Sequence, residues 1–209
     1  MFFPHRFAVR GIFVTFADAM QINKYKMIGA KMLAPLALPH ILLYYFSPNR
    51  QLVRSDLGGG KISVLIYRLV WDKPYRNLFY KRVGKIHFLF SWLLFPRYYT
   101  TGISTKMHLG KHCHLEHAYS IRLNAASIGD NFTCLHNVTI GQKGGKVPTI
   151  GNNVLVSAGA CIIGGITIGD NVIIGNNCVV THDVPSNCTV IGNPARIVKL
   201  NGKRVDLPL

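Results

Sequence analysis

The stretch IGNNVLVSAGACIIGGITIGDNVIIGNNCVV, Ile150–Val180, divides into sixes: IGNNVL, VSAGAC, IIGGIT, IGDNVI, IGNNCV. An aliphatic residue opens each piece, and a small or β-branched residue comes fifth. A six-residue internal period is a signature of parallel β-helices, in which each piece supplies one short strand and a turn. Three pieces make a coil. The openers are expected to point inward, with Gly and Asn taking the turn conformations that other residues resist. Upstream the same register runs through IGDNFT, CLHNVT and IGQ (Ile128–Gln142), and QKGGKVPT (Gln142–Thr149) interrupts it. Counting further back gives openers at Ile121, Leu115 and Leu109, with one extra residue between Ile121 and Ile128. Three columns are then expected: Leu115, Cys134, Val156, Ile174; Ile121, Ile140, Ile162, Val180; and Leu109, Ile128, Ile150, Ile168.

The rest of the 209 residues differs in character. Residues 1–103 carry 15 Lys and Arg against three acids, and residues 104–209 carry nine against five. The first half reads as short helices separated by turn signals at Ser47–Asn49 and Gly58–Gly60; residues 1–26 carry no recognisable motif. A basic, apolar half points to an anionic partner. No nucleic-acid motif accompanies it, so nucleic acid is not expected. Met32–Phe46 is 15 residues long and broken by Pro35, Pro39 and His40, short of the roughly 20 residues a span requires. With Ile86–Phe95 it fits buried or membrane-surface helices. No signal peptide is expected. Five cysteines without a C-x-x-C pair argue for a reducing compartment, so the expected location is cytoplasmic, with peripheral contact at the inner membrane face.

Upstream of the regular sixes lies GKHCHLEHAYS, Gly110–Ser120, with His112, His114 and His117 within six positions. These residues alone fit a metal cage, the cradle of one catalytic base, or three histidines on a wet strand. In the hexapeptide register His117 and His136 are both third residues, expected to sit one above the other on successive coils about 4.8 Å apart. Cys113, Cys134 and Cys178 fall on core positions, where apolar surroundings raise a thiol's pKa, so no thiol nucleophile is expected. His182 reads as a surface residue.

From Leu109 to Leu200 the sequence resembles the hexapeptide-repeat acyltransferases, and VSAGACIIGGITIGDN with the tail GNPARIV is similar to serine acetyltransferases. The resemblance implies a mainly β protein: a left-handed parallel β-helix over residues 104–200, a small helical region over 1–103 and a tail over 201–209. It also implies a homotrimer with acetyl-CoA as co-substrate between subunits and no metal. LEHAYSI (Leu115–Ile121) is similar to the family's L-D-H-A-x-x-I, which implies His117 as the catalytic base and Glu116 in the place of the family's Asp. His136 is then expected to line the acceptor site. Gly141, Gln142, Ser157, Ala158, Gly159, Ala160 and Gly175 are expected along the coenzyme A cleft, with Arg196 and Lys199 meeting phosphates.

Two departures shape the expected acceptor. The family's acid that orients the histidine falls on Gly102, which has no carboxylate. Lys146 and Val147 stand where the family carries Arg-His, leaving Lys146 to pair with an anion. Weakened acceptor contacts favour an O-acetyltransferase for a sugar hydroxyl in surface-polysaccharide synthesis, with serine O-acetyltransferase of cysteine biosynthesis as the alternative. A zinc enzyme like the gamma-class carbonic anhydrases and a non-catalytic trimeric scaffold are the rivals of another class.

Overall fold

A computed structural model describes residues 23–209; the first 22 residues, most of the segment without a motif, lie outside the described part. From Thr101 the chain winds as a parallel β-helix of about five turns. One face is built from β1 (Thr101–Ile103), β4 (Ile121–Leu123), β7 (Thr139–Gly141), β10 (Cys161–Ile163) and β13 (Val179–Val180). The second holds β2 (His108–Leu109), β5 (Ser127–Ile128), β8 (Thr149–Ile150) and β11 (Thr167–Ile168). The third holds β3 (His114–Leu115), β6 (Thr133–Cys134), β9 (Leu155–Val156), β12 (Ile173–Ile174) and β14 (Cys188–Ile191). On that face the chain then folds back antiparallel as β15 (Arg196–Leu200) and β16 (Lys203–Pro208), so the C-terminal tail is a strand.

The inward columns follow the period. Leu115, Cys134, Val156 and Ile174 are in register, as are Leu109, Ile128, Ile150 and Ile168, and all are buried. The I-G-[DN]-N motif builds one corner. Each Asx side chain caps the coil beneath it: Asp130 Oδ1 accepts the Lys111 N–H at 2.7 Å, and Asn152 Oδ1 accepts that of Asp130 at 2.9 Å. The following Asn131, Asn153, Asn171 and Asn187 have φ between 56° and 61°, a region Asn tolerates, and their amides form a ladder. Gly129 is needed because a Cβ there would lie 2.7 Å from the Gly151 carbonyl carbon.

One column departs from expectation. Leu123, rather than Ile121, stands opposite Ile140, while Ile121 pairs with Thr101. The corner from Leu115 to Leu123 therefore has eight residues where that from Cys134 to Ile140 has six. Two residues are inserted before β4 and one is lost after it. Both Ile121 and Leu123 point inward, as alternate residues of a three-residue strand must, so hydropathy alone does not choose between them.

Five short helices precede the β-helix: α1 (Lys24–Met32), α2 (Leu38–Phe46), α3 (Arg50–Asp56), α4 (Ile62–Trp71) and α5 (Lys73–Val83), followed by a 3₁₀ stretch, Lys85–Leu93. They are fixed to the first coil by a buried ion pair. Arg82 holds Asp56 through Nε–Oδ2 at 2.7 Å and Nη2–Oδ1 at 3.0 Å, and donates to the carbonyls of Leu109 and Gly110. Asp56 also accepts the Cys113 N–H at 2.9 Å. Burial drives the Asp56 carboxyl up and the guanidinium opposes that shift. With its donors and acceptors filled, the pair works as a joint between two layers.

Candidate active site

The longer corner puts His117 at the head of a cleft. His117 has φ 48°, left-handed backbone that a non-glycine residue enters at a cost of roughly 1–2 kcal/mol. The turn is closed by the Tyr119 N–H donating to the His117 carbonyl at 2.8 Å, and the imidazole is exposed. The cleft, about 390 Å³, lies between this corner and the junction of α4 and α5. Its lining includes His114, Glu116 and His117 from the first coil, with Arg68, Trp71 and Asp72 from the helices. Tyr67, Tyr98 and Tyr119 add aromatic wall, and Lys26 and Lys73 add charge.

Local sequence explains the helical side. Asp72 caps α5, accepting the Tyr75 N–H at 3.0 Å with Pro74 in the first turn, and its carboxylate pairs with Arg68 one turn back on α4. The Trp71 indole donates to the Lys26 carbonyl at 2.9 Å, which ties α1 to the cleft wall. His114 is held below the usual histidine range by burial first and then by the Arg68 charge, with Glu116 and Asp72 opposing. Two carboxylates and two imidazoles thus share one water-accessible cleft. Such a site can accept a proton from a hydroxyl, and Glu116, the carboxylate not engaged by Arg68, can hold a cationic group on its acceptor.

The histidine cluster is divided by the fold. His112 turns to α3, its Nδ1 3.0 Å from the Ser55 carbonyl oxygen, while His114 and His117 face the cleft. His117 does not stack under His136. Because its corner is two residues longer, Tyr119 takes that place: the Asn137 N–H donates to the Tyr119 carbonyl, as the Gly159 N–H does to that of His136. His136 is partly buried against the Tyr119 ring and does not line the cleft.

Gly102 is separated from His117 as well. It lines a second cleft, of about 330 Å³, and a Cβ built there would lie 2.5 Å from Nη1 of Arg122. The place expected to hold an orienting acid is filled by a guanidinium.

The remaining expected residues lie on other coils, outside the His117 cleft of the single chain. QKGGKVPT is a tight finger: Lys143 and Lys146 exchange backbone hydrogen bonds at 3.0 and 3.1 Å across Gly144 and Gly145, both at positive φ. Lys146 is exposed and its stem lies over Gly165. Gly141 and Gln142 lead into this finger. Ser157, Ala158 and Gly159 form the corner above His136, where Gly159 has φ 74°. The Ala160 side chain is fully buried in the interior and packs the core. Gly175 is required by close packing, with Ile191 Cγ2 2.8 Å from a Cβ built there. Lys199 lies on β15, as does Arg196, whose Nε donates to Asp206 Oδ1 at 2.6 Å across the β15–β16 hairpin.

Sequence reasoning missed Asp72, Arg68 and the aromatic wall. One signal was present: Asp72 is one of only three acids in the first 103 residues, and it directly precedes Lys-Pro at a helix start.

A three-sided parallel β-helix built on I-G-[DN]-N corners, with a histidine presented at another, lengthened corner, defines a hexapeptide-repeat protein. The model of the bacterial transferase hexapeptide (six repeats) matches residues 148–182. Serine acetyltransferase of Bacillus pumilus is 34% identical over 149 residues, 67% of either chain. Soybean serine acetyltransferase apoenzyme superposes with a TM-score of 0.61 at 29% identity, covering 72% of this chain and 69% of that one. The serine acetyltransferase of Brucella abortus in complex with coenzyme A gives 0.58 at 26% identity, covering 75% and 69%. The chain belongs to the serine acetyltransferase-like hexapeptide-repeat acyltransferases. It spans 42% and 47% of the length of two further curated serine acetyltransferases that it matches.

Proposed function

We propose that the protein is an acetyl-CoA-dependent O-acetyltransferase with His117 as its general base. The observation that carries this reading is the exposed His117, held in left-handed backbone on a lengthened corner and sharing a cleft with Glu116, His114 and Asp72. The acceptor hydroxyl attacks the thioester carbonyl carbon as His117 takes its proton. The tetrahedral intermediate then collapses, the C–S bond breaks, and the coenzyme A thiolate leaves with the proton that His117 returns. The products are the O-acetyl ester and free coenzyme A. Direct transfer is supported by the cysteines: burial raises the thiols of Cys113, Cys134 and Cys178, the last to about 11, which disfavours an acyl-cysteine.

L-serine is the first acceptor reading. The names of the relatives support it, and so does Glu116, a carboxylate beside His117 suited to an ammonium group. This reverses the preference for a sugar drawn from Gly102, Lys146 and Val147. A sugar in polysaccharide synthesis stays as the second reading because Tyr67, Trp71, Tyr98 and Tyr119 give the cleft an aromatic wall on which a pyranose face can pack. For coenzyme A we infer the corner of Ser157, Ala158 and Gly159, with Gly141, Gln142 and Lys199, completed by a neighbouring subunit of a homotrimer. A reducing, cytoplasmic location suits five free thiols.

The test is thiol release from acetyl-CoA with L-serine and with a panel of nucleotide sugars and oligosaccharides. Turnover with serine, reduced about 10²–10⁴-fold in His117→Ala, is the expected result. Turnover confined to a sugar moves the acceptor assignment, and equal rates in both proteins remove His117 from the mechanism. Light scattering on the same samples measures the oligomeric state.

A further inference from the structure

We propose that the helical region docks on an anionic membrane surface through the outer face of α2, the segment that leads into it and the adjoining 3₁₀ stretch. The starting point is α2 itself, which is apolar on two sides. His40, Leu43 and Tyr44 are buried against the protein. Leu38, Leu42, Tyr45 and Phe46, spaced i, i+4, i+7 and i+8, form an exposed stripe on the other side, with Phe46 80% exposed. A helix apolar all round belongs between two apolar surroundings, and the protein supplies one of them.

The stripe continues to either side. Met32, 77% exposed, and Leu36 precede it, and the adjoining 3₁₀ stretch carries Leu93 and Trp92, the last 81% exposed. That stretch packs beside α2, and the segment just after it is held to the buried side of α2. The His40 ring stacks on Phe95 with centroids 4.7 Å apart, and its Nε2 accepts the Phe95 N–H at 3.1 Å. Scattered exposed leucines need no explanation, but a four-residue stripe along one helix face, with Phe46 in it and a tryptophan on the adjoining stretch, does.

Charge selects the occupant. Residues 23–55 hold five bases, Lys24, Lys26, Lys31, Arg50 and Arg54, and no acid. Lys85 opens the 3₁₀ stretch. The two carboxylates of residues 23–103, Asp56 and Asp72, are already held by Arg82 and Arg68. The face is therefore apolar with a cationic surround. A second copy would bring like charge against like, whereas anionic headgroups complement the cations while acyl chains receive the side chains. The docking lies in the membrane plane. No single described helix is long and apolar enough to cross, and α1 and Ala34–Phe46 meet at a bend of 71°.

The experiment is co-sedimentation of the full chain with vesicles of phosphatidylcholine alone or mixed with phosphatidylglycerol, at low and high salt. The probe is the lipid, so the outcome does not depend on the acetyltransferase reading. Wild type is expected to partition about tenfold more strongly onto the anionic vesicles, with the preference shrinking at high salt. Phe46→Ser with Trp92→Ser is expected to reduce binding about tenfold or more at unchanged far-UV circular dichroism. Arg50→Ser with Lys85→Ser is expected to remove the anionic preference alone. Absence of binding to anionic vesicles overturns the proposal, as does binding that Phe46→Ser with Trp92→Ser leaves intact. If those substitutions instead shrink the oligomer and leave vesicle binding unchanged, the face is an interface between copies and the proposal fails.

Discussion

The ring of Tyr119 lies beneath that of His136, with centroids 4.9 Å apart and planes 12° from parallel. That stack marks the lengthened corner, because Tyr119 occupies the place that a six-residue corner would give to His117. The His117 imidazole is thereby released from the column and turned to the helices. His136 Nδ1, buried without a hydrogen-bond partner among the described residues, is covered by the same tyrosine.

Removing the stack should therefore cost stability in a way that depends on the ring and not on the hydroxyl. Tyr119→Ala is expected to lose about 1 kcal/mol, a fall of about 2–4 °C in melting temperature for a chain of this size. Tyr119→Phe should melt close to wild type. Equal losses in the two variants would show that the hydroxyl, not the stack, holds the corner.

Gly102 offers a test of how the base is oriented. An acid introduced as Gly102→Asp meets Arg122, whose guanidinium lies on the Cβ direction, and the pair forms on the wall of the other cleft. Turnover is expected to stay at the wild-type level in the thiol-release assay. A clear rise would mean that the new carboxylate reaches His117.

The joint between helices and β-helix should be severe to break. Asp56→Ala leaves the buried Arg82 cation without its partner, and the expected loss is about 3–5 kcal/mol, read as a lower urea midpoint. Arg82→Lys should recover little, since one ammonium cannot serve both carboxylate oxygens and the carbonyls of Leu109 and Gly110.

His40 should make stability depend on pH. Burial, and then the Arg76 charge, lower it from 6.5 to about 4, so the native protein holds the ring neutral, with Nε2 accepting from Phe95. The unfolded state binds the proton first as pH falls. The contribution is fully present above about 6.5 and is lost on descent to about 4, amounting to about 3 kcal/mol at most. His87, also lowered by burial, adds in the same direction. Urea midpoints measured across this range should fall more steeply in wild type than in His40→Gln, which keeps an acceptor but does not titrate.

The hexapeptide period was legible because every element of it acts locally. An opener such as Ile150 or Ile168 goes inward by strand alternation, Asn153 takes positive φ within its own turn, and Asp130 caps a neighbour one coil away. His117 and Glu116 were likewise found in the sequence, since they sit together in LEHAYSI. The length of their corner was not, because Ile121 and Leu123 are equally apolar and only the pairing of Leu123 with Ile140 sets the register. Asp72 and Arg68, 45 and 49 residues before His117, reach the cleft through a helix cap and the buried Arg82–Asp56 pair, which no period encodes. The sequence by itself thus determined the coil, its inward columns and the histidine at its edge. Tertiary packing alone decided what faces that histidine, because the cleft joins two layers whose contact depends on a two-residue insertion and on Arg82 meeting Asp56.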